Sequence, residues 1–216
     1  MSLDASSPVL YSFRRCPYAM RARVAILASG LTVELREIVL REKAPEFLAS
    51  SPKGTVPVLV TPSVVIEESL EVMLWALDQS DPESWLVMPE AGYEWIARCD
   101  GPFKTALDHT KYAVRYPDLD PEQERGRAAE FLLDLNSQIA SSDWIFGATC
   151  TLADMAIVPF IRQFANSDRS RFDAQPWPNL QRWLSRFLAS DRFVSIMTKY
   201  PEWQAGDRPV IFPNPP

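Results

Sequence analysis

The chain has 216 residues, 47% of them apolar, with 28 acidic against 22 basic side chains and a formal net charge of −6. That length admits one large domain or two smaller ones with a substantial core, and the acidic balance argues against a general nucleic-acid binder, which carries a basic surface. No run reaches the length of a transmembrane helix and Met1 to Ser7 lacks the apolar stretch of a secretory signal; three cysteines and one histidine make neither a disulfide framework nor a zinc cluster, so a cytoplasmic, reducing setting without a metal is expected.

Residues 1–80 alternate strand and helix. Val9 to Phe13 suits a pleated strand, and Met20, Val24 and Leu27 fall at helical spacing in the helix Cys16 to Ser29, which Gly30 stops. Thr32 to Val39 reads as a second strand and Pro45 to Ala49 as a short helix ended by Pro52 and Gly54. Val56 to Val60 and Val64 to Ile66 form a hairpin about Thr61-Pro62-Ser63. The stripe at 70, 73, 74 and 77 marks another helix. The order βαβαββα implies an α/β domain with a mixed, four-stranded sheet, its first two strands parallel across a right-handed crossover. Residues 81–89 read as a linker, with Trp85 an aromatic anchor.

From residue 90 to 216 the pattern is all-helical. Gly101-Pro102 should kink or split the helix from Glu90 to Arg115. Pro121 to Ser141 is amphipathic, Thr151 to Asn166 is a further helix, and Leu180, Trp183, Leu184, Phe187 and Leu188 mark another. The tail from Tyr200, with five prolines at 201, 209, 213, 215 and 216, cannot stay helical and is expected to be extended or disordered.

Cys16 is the first candidate for chemistry. It stands where a strand turns into a helix, followed by Pro17, which suits the first helical turn because its missing N–H would have no intrahelical partner. A sulfur at that corner faces open backbone N–H groups and the positive end of the helix dipole, and both favour thiolate over thiol. Arg14, Arg15 and Arg21 could add positive charge. A packing role under the turn is the alternative. Pro57 must sit at a strand end or edge; a cis Val56–Pro57 bond would leave the Val56 backbone open to a peptide-like ligand, against the more frequent trans form. Ser69 reads as a helix N-cap. With Glu68 it could hold the two charges of an amino acid, or it could simply cap. Thr151-Leu152-Ala153-Asp154 is a structural capping box. Cys99 and Cys150 read as packing residues. His109, with Lys104, Tyr112 and Arg115, has no orienting partner identifiable in the sequence. The tryptophans read as core anchors.

With these residues assembled, the chain resembles the cytosolic glutathione S-transferases over nearly its whole length. The resemblance rests on Cys16-Pro17-Tyr18-Ala19, Lys43-Ala44-Pro45-Glu46-Phe47-Leu48, Pro52-Lys53-Gly54-Thr55-Val56-Pro57-Val58-Leu59, Glu68-Ser69 and Thr151-Leu152-Ala153-Asp154. It implies a thioredoxin-like domain followed by a helical one, a cis Pro57, and glutathione as co-substrate: Val56 beside its cysteinyl part, Glu68 and Ser69 at its γ-glutamyl end, Lys43 at its glycyl carboxylate. It also implies a homodimer. Cys16 in place of a Tyr or Ser hydroxyl is similar to the omega-like, cysteine-type members and to monothiol glutaredoxins. Tyr11 and Ser12 are the hydroxyl alternatives on the preceding strand.

The expected activity is thiol transfer or deglutathionylation. Cys16 would be the nucleophile, and a small-molecule or protein thiol or disulfide the partner, walled by Phe103, Leu107, His109 and Tyr112. Ala19 replaces the second Cys of a dithiol motif, so a second glutathione must resolve the intermediate. The rivals are an electrophile-conjugating transferase and a non-catalytic interaction protein.

Overall fold

The computed structural model describes residues 7–214. The expectations for residues 1–6, and for Pro215 and Pro216, lie outside the described residues. The chain divides into two compact units, one formed by residues 1–84 together with 189–216, the other by residues 85–188.

The first unit opens with β1 (Val9–Ser12), α1 (Pro17–Ser29), β2 (Val33–Glu37) and α2 (Pro45–Ser50). β3 (Val58–Val60), β4 (Val65–Ile66) and α3 (Ser69–Gln79) follow, and α10 (Asp191–Ile196) and β5 (Val210–Phe212) join from the C-terminal end. The sheet has five strands in the order β4-β3-β1-β2-β5. β1 and β2 are parallel, with Ser12 opposite Glu37, and the remaining pairs are antiparallel. The fifth strand corrects the expected four: proline denies the tail a helix, and β5 instead pairs with β2, Phe212 facing Val33. The same contact moves residues 189–216 out of the helical domain to which the sequence pattern assigned them, and the boundary falls inside the expected linker, between Ser84 and Trp85.

α1 is buried almost all round, 11 of its 13 residues having little exposure. Such a helix belongs at the centre of its unit, and α1 packs on α3 and α10. It nonetheless carries Arg21 and Arg23, 1% and 0% exposed. A buried guanidinium needs acceptors. Arg21 reaches Ser69 Oγ at 3.5 Å, and Arg23 has Ser12 Oγ at 2.8 Å, the Ile196 carbonyl at 2.9 Å and the Glu37 carboxylate.

The second unit contains α4 (Ala91–Arg98), α5 (Lys104–Lys111), α6 (Pro121–Gln138), α7 (Leu152–Ala165), α8 (Arg169–Asp173) and α9 (Pro178–Leu188). The break expected at Gly101-Pro102 is a π-helical turn, Cys99–Phe103, between α4 and α5. The capping box forms at the head of α7. Asp154, fully buried, accepts from the Thr151 and Ile145 backbone N–H groups, from Thr151 Oγ1 and from Trp183 Nε1, all at 2.9–3.0 Å. This one carboxylate joins α7, α9 and the loop before them. Burial pushes its pKa up, and the four donors pull the other way. No helix among the described residues is long and apolar enough to cross a membrane.

Candidate active site

Cys16 closes a turn. Its N–H donates to the Phe13 carbonyl at 2.9 Å, and the residue then serves as N-cap of α1 with extended backbone angles, φ −74° and ψ 125°. Pro17 at the first helical position keeps the helix from extending backward. The Cys16 side chain makes no capping bond; its Sγ is half-buried and lies 3.7 Å from the Val56 carbonyl oxygen. The Val56–Pro57 peptide bond is cis, and Val56 precedes the β3 ladder, which begins at Val58.

Cys16, Lys43, Val56, Pro57, Glu68 and Ser69 line one cleft of about 500 Å³ within the first unit. Two helix starts meet there. Cys16 caps α1, and Glu68 and Ser69 begin α3, so both positive helix ends face the cleft and favour anions in it. Ser69 is the first residue of α3, with Glu68 in the N-cap position and no side-chain cap bond, which corrects the expected capping role. The Ser69 hydroxyl turns instead to Arg21. Glu68 is exposed and paired with Lys53 at 2.8 Å, and this bond raises the Lys53 pKa. The Glu67 carboxylate accepts from Ser51 Oγ.

Tyr18, Leu40, Gly54, Thr55 and Glu67 also line the cleft; Tyr18, Gly54 and Thr55 stand in the motifs that carry the family resemblance, but none of the five was assigned a role in the site from the sequence. Gly54 carried a usable signal. Its φ of +59° is a left-handed conformation that glycine adopts at no steric cost, and a Cβ there would stand 3.0 Å from both Leu48 Cδ2 and Lys43 Nζ. The glycine thus leaves room for the Lys43 ammonium beside the Ser51–Gly54 turn.

The hydroxyl alternatives are engaged elsewhere. Tyr11 is 2% exposed and its OH accepts from Arg36 Nη1 at 2.7 Å; Ser12 is 0% exposed and its Oγ accepts from Arg23 Nε. Two of the arginines expected to surround Cys16 have other partners: Arg14 Nη1 donates to the Met197 carbonyl at 3.4 Å, and the Arg15 guanidinium lies over the Phe13 ring.

The residues proposed as walls for a second substrate belong to the second unit, and two of them cannot serve. Phe103 packs on Phe131 and Phe164 and is 1% exposed; Leu107 is 0% exposed. Both are core side chains, which the helical spacing alone could not separate from groove-facing ones. His109 is partly exposed and does have an orienting partner. Its Nδ1 lies 2.9 Å from Glu124 Oε2, and Arg127 holds the other oxygen of that buried carboxylate. Tyr112 lies under the charges of Lys111 and Arg115. Among the described residues no cluster of His, Cys, Asp and Glu could hold a metal ion.

Set against known families, residues 10–85 match the glutathione S-transferase N-terminal domain and residues 93–186 the glutathione S-transferase C-terminal domain. Among curated relatives, maleylacetoacetate isomerase of Mus musculus is 24% identical, the alignment covering 94% of this chain and 98% of that protein. The probable glutathione S-transferase parA of Nicotiana tabacum is 24% identical over 75% of each chain. Among solved structures, a glutathione transferase family member from Pseudomonas fluorescens Pf-5 with two glutathione bound superimposes with a TM-score of 0.78 at 19% identity, covering 91% of this chain and 94% of that one. That likeness speaks for the fold. Since both domains of one architecture match in order and between them take up most of the sequence, the chain belongs to the glutathione S-transferase family.

Proposed function

We propose that the protein is a glutathione-dependent thiol transferase of the cysteine type. What supports the reading is one observation: the only cysteine in the cleft caps α1 there, while the hydroxyls of the preceding strand are buried and bonded to arginines. A sulfur anion at Cys16 stands at the N-cap of α1, by the positive end of the helix dipole. It attacks the glutathionyl sulfur of a mixed disulfide between glutathione and a substrate thiol. The Cys16–glutathione disulfide forms, the S–S bond between the glutathionyl sulfur and the substrate sulfur breaks, and the substrate leaves as a thiolate that takes a proton from water. A second glutathione thiolate then attacks the glutathionyl sulfur of that intermediate. Oxidised glutathione departs and the Cys16 thiolate returns.

Glutathione is held in this reading by backbone pairing at Val56 beside Pro57, by Glu68 and Ser69 at the head of α3, and by Lys43. The helix start supplies N–H groups to the γ-glutamyl carboxylate. The substrate is a small-molecule or protein thiol or disulfide, and the assembled state is a homodimer, as family membership suggests.

A second reading is favoured by Tyr18, a residue that lines the same cleft. Its hydroxyl would stabilise the thiolate of glutathione for attack on an electrophile. The two readings separate cleanly. Cys16→Ser abolishes glutathione-dependent reduction of a mixed disulfide and leaves glutathione binding within about twofold, since no glutathione-holding group is removed. Full thiol-transferase activity in Cys16→Ser, or aryl-halide conjugation that dominates in the native protein and is lost in Tyr18→Phe, replaces the first reading by the second.

A further inference from the structure

Cys16 is fixed by the turn Phe13–Cys16, yet that turn has little local reason to form. Its two central residues are Arg14 and Arg15, with none of the Gly, Pro, Asn or Asp that pre-set turn geometry. Its closing bond is one neutral N–H on a carbonyl, a modest stabilisation in itself. The geometry must be imposed from outside.

Glu37 supplies an external hold. β1 and β2 run parallel with Ser12 opposite Glu37, so the last residue of β2 lies beside the point where β1 leaves the sheet for the turn. Glu37 Oε1 accepts the Arg14 backbone N–H at 2.6 Å. A bond to an ionised acceptor is roughly twice as strong as a neutral one. The other oxygen, Oε2, accepts from Arg23 Nη2, while Arg23 Nε donates to Ser12 Oγ and Nη1 to the Ile196 carbonyl at the end of α10. The Glu37 carbonyl accepts the Trp203 N–H at 2.9 Å. Trp203 in turn sits in the cluster of Tyr11, Phe47 and Val56 against which Phe13 and Cys16 pack, with the Arg36 guanidinium 4.4 Å from its ring centre. Glu37 itself does not line the cleft.

We propose that Glu37 is a positioning residue for Cys16, holding the turn through the Arg14 N–H while Arg23 and the C-terminal strap at Trp203 hold Glu37. The proposal rests on the reading of Cys16 as the reactive thiol and deepens it: the strap contributes to reactivity without touching substrate.

The test must separate positioning from the cost of an unpaired buried charge. Arg23→Met with Glu37→Gln removes both charges and keeps an acceptor for the Arg14 N–H; Arg23→Met with Glu37→Leu removes the acceptor as well. Replacing a buried ion pair by neutral or apolar groups is commonly tolerated. Two rates are measured on each full-length variant: alkylation of Cys16 by limiting iodoacetamide without glutathione, followed by peptide mass, and turnover of a glutathione mixed disulfide. The Leu variant should alkylate Cys16 about fivefold more slowly than the Gln variant, one lost bond's worth. It should lose kcat about tenfold or more at a glutathione KM within about twofold, because misplacing a nucleophile costs rate rather than binding. Glu37→Asp, which keeps the charge for Arg23 but draws back from the Arg14 N–H, should slow alkylation likewise and supplies the comparison with wild type where the double variants lose their circular dichroism. Equal alkylation rates in the folded members of these comparisons overturn the positioning role. A difference in alkylation with no mixed-disulfide turnover by the wild type overturns the thiol-transferase reading and leaves the positioning role standing.

Discussion

Removing the Asp154 side chain should unfold the helical unit more readily than any comparably small change. The carboxylate is fully buried and answers four donors at 2.9–3.0 Å: the Ile145 N–H and Trp183 Nε1–H on one oxygen, the Thr151 N–H and Oγ1–H on the other. In Asp154→Ala the hydroxyl can rotate to another acceptor, but the three N–H donors are stranded. Each stranded donor costs about 1–3 kcal/mol, and the buried charge, whose burial already works against ionisation, is removed with the carboxylate. The balance is a loss of about 3–5 kcal/mol, a large share of a total stability of roughly 5–15 kcal/mol. Asp154→Asn is the control. Its amide oxygen can serve Ile145 and Trp183, but its NH₂ then meets the Thr151 N–H, so about 1–3 kcal/mol should be lost. Urea titration followed by tryptophan fluorescence and far-UV circular dichroism reads both variants. An alanine variant within about 1 kcal/mol of wild type, or an asparagine variant as damaged as the alanine one, would refute the hub of bonds as drawn.

Three further outcomes follow from the cleft. Gly54→Ala meets both a left-handed φ of +59° and contacts at 3.0 Å, whereas Gly30→Ala meets only φ +72° in open space; both should lose about 1–2 kcal/mol of stability in urea, but only the former should also weaken glutathione binding by calorimetry, and equal affinities would deny Lys43 its place beside the ligand. Ser69→Ala should weaken glutathione binding by about 1–3 kcal/mol and lower stability by about 1 kcal/mol, the loss of an acceptor for buried Arg21 rather than of a cap; lower stability at unchanged affinity would assign the hydroxyl to Arg21 alone. Tyr11→Phe removes the acceptor of Arg36 Nη1, leaving Glu34 on its Nε, and should cost about 1 kcal/mol in urea while leaving thiol transfer intact; lost activity in a folded protein would return catalysis to the hydroxyl.

The elements of the first unit were legible because local rules agree with the fold there. Pro17 and Gly30 bound α1, Pro45 opens α2, and the valine-rich run after Pro57 forms β3, between β1 and β4. Cys16, Val56, Pro57, Glu68 and Ser69 could be pointed to because they stand near strand ends or helix starts, where sequence punctuation is strongest; Lys43, and the grouping of all six around one ligand, came from the family resemblance. What escaped was tertiary. No local pattern tells that β5 will cross back to β2, since a proline-rich tail of three strand residues has no periodicity of its own. Burial of Arg21 and Arg23 in α1 inverts the ordinary preference of arginine for water, and partners scattered along the chain, Ser12, Glu37, Ser69 and Ile196 among them, make it tenable. Phe103 and Leu107 stand four residues apart on one apolar face, and spacing cannot tell a core face from a ligand face. The partner of His109 lies on another helix, Glu124, and sequence distance hid it.

The central claim is that Cys16 is a nucleophile that takes up glutathione. Incubating the full-length protein with oxidised glutathione at neutral pH, weighing it intact and locating the adduct by peptide mass tests it most directly. The account predicts one glutathionyl group, on Cys16, released by excess reduced glutathione, with Cys99 and Cys150 unmodified. An unmodified protein, or an adduct on Cys150 with Cys16 left as the thiol, would contradict it.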